Sequence, residues 1–205
     1  MDIKTLYKIK LEKLLEKYLS QKETLATNGF LLFENIEKNA LLFLGINPSK
    51  IDGIEKKYSV RHENGIFWSK ESFKEEYPYY QHFNNLSCGM NWSHLDIFFS
   101  CMTNQKELEK NIKSEFLKEQ FSISKSIIQK VMPKIIVVGN AYASNVMKEH
   151  FSCEFDKEIG TYRIKEYNNI PIFFSGIFTG GRALDVGSRE RLAWHIGFVK
   201  EKTIK

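Results

Sequence analysis

The sequence predicts an α/β fold, a three-layer α/β/α sandwich whose central sheet is mainly parallel and has about four strands. Three observations support this. Short unbroken apolar runs occur at residues 40–44 (Ala-Leu-Leu-Phe-Leu), 135–138 (Ile-Ile-Val-Val) and 170–174 (Ile-Pro-Ile-Phe-Phe), the pattern of strands buried on both faces. Stretches long enough for crossover helices separate them. Each run empties into Gly or a polar turn, at Gly45, Gly139 and Ser175-Gly176, and ligands of open parallel sheets bind beyond such strand ends.

Taken in order, residues 3–19 place Ile3, Leu6, Tyr7, Ile9, Leu14, Leu15 and Tyr18 near helical spacing among Lys and Glu, which predicts an amphipathic helix with a core-packing face. Residues 40–44 form the first central strand. His94 to Phe99 is a weaker strand candidate, and residues 105–132 hold one or two helices. Ile135 to Val138, between Pro133 and Gly139, leads into Asn140-Ala-Tyr-Ala-Ser-Asn-Val-Met, a strand, turn and helix unit. Residues 155–167 alternate loosely around Gly160, suggesting an antiparallel hairpin or edge addition. Ser188 is the expected N-cap of a last helix carrying Leu192, Ala193, Ile196 and Val199. With no repeat or linker, residues 1–205 are expected to form one domain, with residues 1–39 as a helical segment packed on it.

Composition narrows the function classes. The chain has 205 residues, 42% hydrophobic and 27% charged, with 4 Pro, so disordered and collagen-like classes are excluded. No apolar run is long enough to span a membrane and the start lacks a secretory leader, so a soluble, cytoplasmic monomer is expected. Cys88, Cys101 and Cys153 are odd in number and far apart, and the histidines show no HExxH or facial-triad spacing. No metal, iron-sulfur cluster or other cofactor is expected. The net charge of +5 favours polyanionic partners without identifying one. No GxGxxG, GxxxxGK[ST] or GxSxG motif is present, which removes the usual dinucleotide, NTPase and hydrolase readings.

The segment with most chemistry is Gly45-Ile46-Asn47-Pro48-Ser49. Gly removes a Cβ and Pro fixes φ, so the Asn47 amide is held rigidly and can position one water; an ordinary Asn-Pro turn is the competing reading. This Gly-x-Asn-Pro turn after the first strand, the later Pro-Lys-Ile-Ile-Val-Val-Gly strand and the glycine-rich loop after the last strand resemble the uracil-DNA glycosylase superfamily, particularly its mismatch-specific branch. The resemblance spans about residues 40–196, and its specific motif is the Gly45 to Ser49 turn.

The resemblance implies a uracil-DNA glycosylase-like fold and a role for Asn47 in orienting the water that attacks the sugar carbon, within a pocket including Gly45, Ile46, Pro48 and Ser49. A weakly basic amide suffices, because the sugar develops oxocarbenium character. The base is extruded from DNA, so an aromatic platform and polar edge readers are expected. Among Phe67, Trp68, Tyr77, Tyr79, Tyr80 and Phe83, the stacking candidates are Tyr80 and Phe83; packing in the core is the alternative for all of them. His94 and Asp96 occupy the position of the base-edge reader, or else form a structural pair. An ionised Asp96 would accept from an exocyclic amine and repel a carbonyl oxygen, which predicts poor activity on uracil.

The last loop departs from the family. Many members carry His-Pro-Ser there, with His stabilising the departing base, whereas this chain has Ser175-Gly176-Ile177-Phe178-Thr179-Gly180-Gly181-Arg182 and no His between His150 and His195. Ser175 and Thr179 are the hydroxyls available for part of that role. Phe178 is a candidate wedge into the base stack, with Gly180 and Gly181 as a pliant tip and Arg182, Arg189 and Arg191 on phosphate; a solvated helix start paired to Asp185 and Glu190 is the alternative for the arginines. Asn140 and Ser188 open helices whose amides suit a phosphate, and Lys50, Lys56, Lys57 and Arg61 offer a basic rim. The expected activity is hydrolysis of the N-glycosidic bond of a damaged, mispaired or modified base in single- or double-stranded DNA. The alternative is a catalytically impaired nucleic-acid or nucleotide-binding module on the same fold.

Overall fold

The computed structural model describes residues 1–103, 105–111, 113–178 and 183–204, apart from the side chains of residues 105 and 109. The first half contains α1 (Ile3–Ser20), β1 (Phe30–Phe33), β2 (Leu41–Gly45), α2 (Ile54–Lys57), β3 (Val60–Glu63), β4 (Ile66–Ser69), α3 (Phe73–Glu76), α4 (Gln81–Leu86) and β5 (Trp92–Asp96). The second contains α5 (Gln105–Asn111), α6 (Glu115–Val131), β6 (Ile135–Val138), α7 (Ala141–His150), β7 (Cys153–Asp156), β8 (Thr161–Ile164), β9 (Ile170–Phe174) and α8 (Val186–Thr203). Backbone contacts cluster into two compact units built from separated stretches of chain. The first is Met1–Ile36, Ile46–Tyr77 and Leu95–Ile128; the second is Glu37–Gly45, Pro78–His94 and Gln129–Lys205.

In the first unit, α1 begins at Asp2, whose carboxylate accepts from the Thr5 N–H at 2.8 Å. The helix buries Ile3, Tyr7, Leu11, Leu14, Leu15 and Tyr18, while Leu6 and Ile9 face outward at 53% and 69% exposure. The expected helix is present, with its apolar stripe shifted from Leu6 and Ile9 to Leu11. A three-stranded sheet of order β1-β4-β3 accompanies it. The β3–β4 hairpin closes through Asn64-Gly65, both at positive φ (50° and 80°), the backbone that a two-residue turn between twisted strands requires. Gly65 also permits close approach, since a Cβ there would lie 2.6 Å from Leu15 Cδ2.

The second sheet has six strands in the order β5-β2-β6-β9-β8-β7, which corrects the expected four. β2, β6 and β9 run parallel and carry the three apolar runs. Leu41 to Leu44 and Ile135 to Val138 are all at most 1% exposed, as strands covered on both faces must be. The two added strands are the β7–β8 hairpin, joined antiparallel to β9. Their alternation with charged residues such as Glu154 and Arg163 suits strands at a wet edge. The parallel pairing brings Gly45, Gly139 and Ser175 to one end of the sheet, with the Gly139 N–H on the Leu44 carbonyl and the Ser175 N–H on the Val138 carbonyl. No helix of the described residues is long and apolar enough to cross a membrane.

Candidate functional site

Beyond β2, Ile46 is 5% exposed and Pro48 is buried, so the intervening Asn47 is half-buried between two anchored neighbours. Ser49 and Lys50 are exposed. The Asn47 side-chain amide donates to the Pro48 carbonyl at 2.9 Å and to the Met102 carbonyl at 2.8 Å. Both partners are carbonyl oxygens, so only the NH2 end of the amide can face them. Oδ1 is thereby turned away from those carbonyls and accepts no hydrogen bond among the described residues.

The segment that grips Asn47 is itself fixed. Phe98 donates its N–H to the Ile46 carbonyl at 2.9 Å, and Met102 donates its N–H to the Pro48 carbonyl at 2.8 Å. Gln120 of α6 is fully buried; its Oε1 accepts from the Phe99 and Ser100 N–H groups at 2.7 and 3.1 Å, and its Nε2 donates to Ser100 Oγ at 3.0 Å. Ser124 Oγ donates to the Ile97 carbonyl at 2.7 Å. A buried polar network in which each member is satisfied specifies one geometry, and here it holds residues 97–100 against α6. Met102 and Gln120 are positioning residues that sequence reasoning missed. No local signal marks them, because the Met102 contact spans 55 residues.

Asp96 closes β5, half-buried in the same unit. Burial pushes its carboxyl up to about 8, because an ionised carboxylate there would lose hydration. Cys101, 5% exposed, is a titratable neighbour. Burial, with the Asp96 charge adding to it and Lys50 opposing it, pushes its thiol up to about 12.

The second unit holds a different set of expected site residues. Tyr80, Phe83 and His94 are 5%, 1% and 3% exposed. Phe83 stacks on Phe43 at 4.2 Å between ring centroids and meets Trp92 edge-on at 5.3 Å. Tyr79, Tyr80 and Phe83 surround the His94 ring at 5.9, 5.2 and 5.7 Å. Phe178, at 1% exposure, completes this cluster 5.5 Å from Phe83. A wedge must stand at the surface, so the burial of Phe178 withdraws support for that role. Gly139 is the complement of this packing, since a Cβ there would lie 2.3 Å from the Phe178 ring.

The helix starts are already occupied by their own caps. Asn140 Oδ1 accepts from the Tyr142 and Ala143 N–H groups at 2.8 and 3.2 Å, and Asp185, not Ser188, caps α8 by accepting from the Ser188 N–H at 2.9 Å. The cap falls three residues earlier, at a carboxylate that accepts from the first turn and whose negative charge suits the positive end of the helix. Arg189 Nη1 lies 3.4 Å from His82 Nδ1, and Arg191 donates to Ser188 Oγ at 3.0 Å. Ser175 is half-buried, whereas Thr179, Gly180, Gly181 and Arg182 lie outside the described residues.

Lys56, Lys57 and Arg61 are exposed, interleaved with exposed Asp52 and Glu55, which dilutes the basic rim. Among the described residues no group of three or more His, Cys, Asp or Glu side chains is placed to hold a metal ion. Of the expected base-binding and water-positioning residues, Ile46, Asn47, Pro48, Ser49 and Asp96 fall in the first unit, and Gly45, Tyr80, Phe83 and His94 in the second. No family model matches the chain, and no curated protein matches it.

Proposed function

We propose that this chain is a monofunctional DNA glycosylase of the uracil-DNA glycosylase type, which hydrolyses the N-glycosidic bond of a damaged, mispaired or modified base turned out of DNA. The observation behind this is the orientation of Asn47. Two backbone carbonyls hold its NH2 end, which leaves Oδ1 as a fixed acceptor at a strand end. A fixed acceptor aligns a water without having to deprotonate it strongly, and alignment is most of what attack on an oxocarbenium-like sugar requires. The order of the segments along the chain, with Gly45-Ile46-Asn47-Pro48 first, agrees with that family.

The test is to incubate wild type and Asn47→Ala with oligonucleotides holding uracil, mispaired thymine, hypoxanthine or 5-modified cytosines, single and double stranded, and then to cleave abasic sites with alkali. Strand cleavage by the wild type that falls on the order of 10²-fold or more in the variant is expected, the scale of losing alignment of a reactant. The missing His in the last loop favours a second reading, a module that binds DNA without cleaving it. Salt-sensitive binding with no cleavage of any substrate would decide for that module.

A further inference from the structure

Without a histidine in the last loop, the departing base needs another group to take up its charge, and the ladder beside Asn47 supplies one. The Phe98 N–H bond to the Ile46 carbonyl sets Ile97 opposite Ile46. Both isoleucines are buried, at 0% and 5% exposure, while the residues flanking this pair, Asp96 and Asn47, each keep part of their surface. Three steps, two along the backbone and one across the ladder, separate their Cα atoms, so they lie no more than about 12 Å apart. That places the two residues at the same end of the β2–β5 ladder.

Given the glycosylase reading, on which this rests, we propose that Asp96 is the general acid of the reaction, holding its proton in the free enzyme and donating it to a carbonyl oxygen or ring nitrogen of the extruded base. The water held by Asn47 forms its bond to the sugar carbon as the glycosidic C–N bond breaks. The electron pair of that bond passes to the base, where the Asp96 proton neutralises it. The attacking water loses a proton to solvent, and the Asp96 carboxylate regains one from solvent before the next turnover.

Burial of Asp96 gives it the protonation state this needs, with its carboxyl pushed up to about 8. Its titratable neighbour Cys101, on the segment after β5, stays a neutral thiol, and Lys50 on the turn after β2 acts on that thiol from an exposed position. A neutral carboxyl also reverses the selectivity expected of an ionised one. It donates to a carbonyl instead of repelling it, so uracil and hypoxanthine become acceptable bases at neutral pH.

Single-turnover rates of the full chain on uracil- and hypoxanthine-containing oligonucleotides, measured from pH 6 to 10, test this. The wild-type rate should be level at low pH and fall tenfold per pH unit above about 8. Asp96→Asn should be on the order of 10²-fold slower at pH 7, the usual worth of a general acid, with that alkaline limb gone. A variant with the wild-type rate and the same limb overturns the acid role while leaving the glycosylase intact. A wild type that opens no glycosidic bond at any pH overturns both. A readout that needs no activity is the ¹³C carboxyl resonance of Asp96, assigned by its loss in Asp96→Asn; a midpoint near 8 is expected, and titration below about 5 overturns the proposal even if the variant folds poorly.

Discussion

At the end of β2, Asn47 is half-buried and its amide is gripped by the Pro48 and Met102 carbonyls. Just before α4, within α4 and in β5, Tyr80, Phe83 and His94 are sunk to 5%, 1% and 3% exposure in a cluster of rings. Residue type makes both regions candidates for holding a base. They differ in what remains for a ligand to meet. Asn47 retains an acceptor with no hydrogen bond among the described residues, whereas Phe43, Trp92 and Phe178 already cover the faces and edges of the Phe83 ring. Aromatic richness therefore marks the core of the second unit, and a polar amide at a strand end marks the candidate chemistry of the first.

The largest effect that separates the two regions is on stability. Phe83→Ala should cost about 3–5 kcal/mol, the range for removing a large buried aromatic, read from the denaturant midpoint. A loss below about 1 kcal/mol would break the comparison, because the ring would then be available to stack on a base.

Next is the pH dependence set by Asp96. Burial pushes its carboxyl up to about 8 in the folded protein, against about 3.9 when unfolded. Between those values the folded state binds a proton that the unfolded state does not, so stability falls as pH rises through this window and levels off above it. The carboxylates held low, such as Glu63, hydrogen-bonded by Lys4 and Lys8 and lowered to about 2, act in the opposite sense, but only at the acid end. Urea midpoints from pH 5 to 8 should decline in the wild type relative to Asp96→Asn. Parallel curves would mean that Asp96 is ionised throughout and would return it to the role of an amine reader.

How much of this was legible follows from the range of the interactions. The 3.6 period of residues 3–19 and the apolar runs ending at Gly45 and Gly139 are local signals, and the helix and central strands lie where those signals put them. The β1-β4-β3 sheet went unread: residues 1–39 are expected as a helical segment, yet Phe30–Phe33 forms β1, and its one local signal, Asn64-Gly65 at the β3–β4 turn, is not accompanied by a long apolar run. At the site, the Gly45 to Ser49 turn is readable as a motif. What orients Asn47 is not, because Met102 and Gln120 act across 55 and about 20 residues through backbone carbonyls and amides that carry no residue identity. The burial of Phe178 was hidden for the same reason: glycines on either side of it suggest a pliant tip, while its ring packs on Gly139 from another strand end.

The smallest effect sharpens the comparison within one residue type. Asn140 and Asn47 each follow a parallel strand that ends in Gly, yet they are wired in opposite directions. Asn140 turns Oδ1 onto the Tyr142 and Ala143 amides, which leaves that oxygen engaged by the first turn of α7, while Asn47 turns its NH2 group onto carbonyls. Asn140→Ala should therefore cost about 1 kcal/mol of stability, the usual worth of an N-cap, and leave the pH profile of cleavage unchanged. Asn47→Ala should lower cleavage on the order of 10²-fold or more, at a similar cost in stability, since the Met102 carbonyl it releases belongs to a buried residue. If Asn140→Ala lost cleavage as severely as Asn47→Ala, the amides of α7 would have to be part of the binding surface, and the distinction between a capped helix start and an open acceptor would fail.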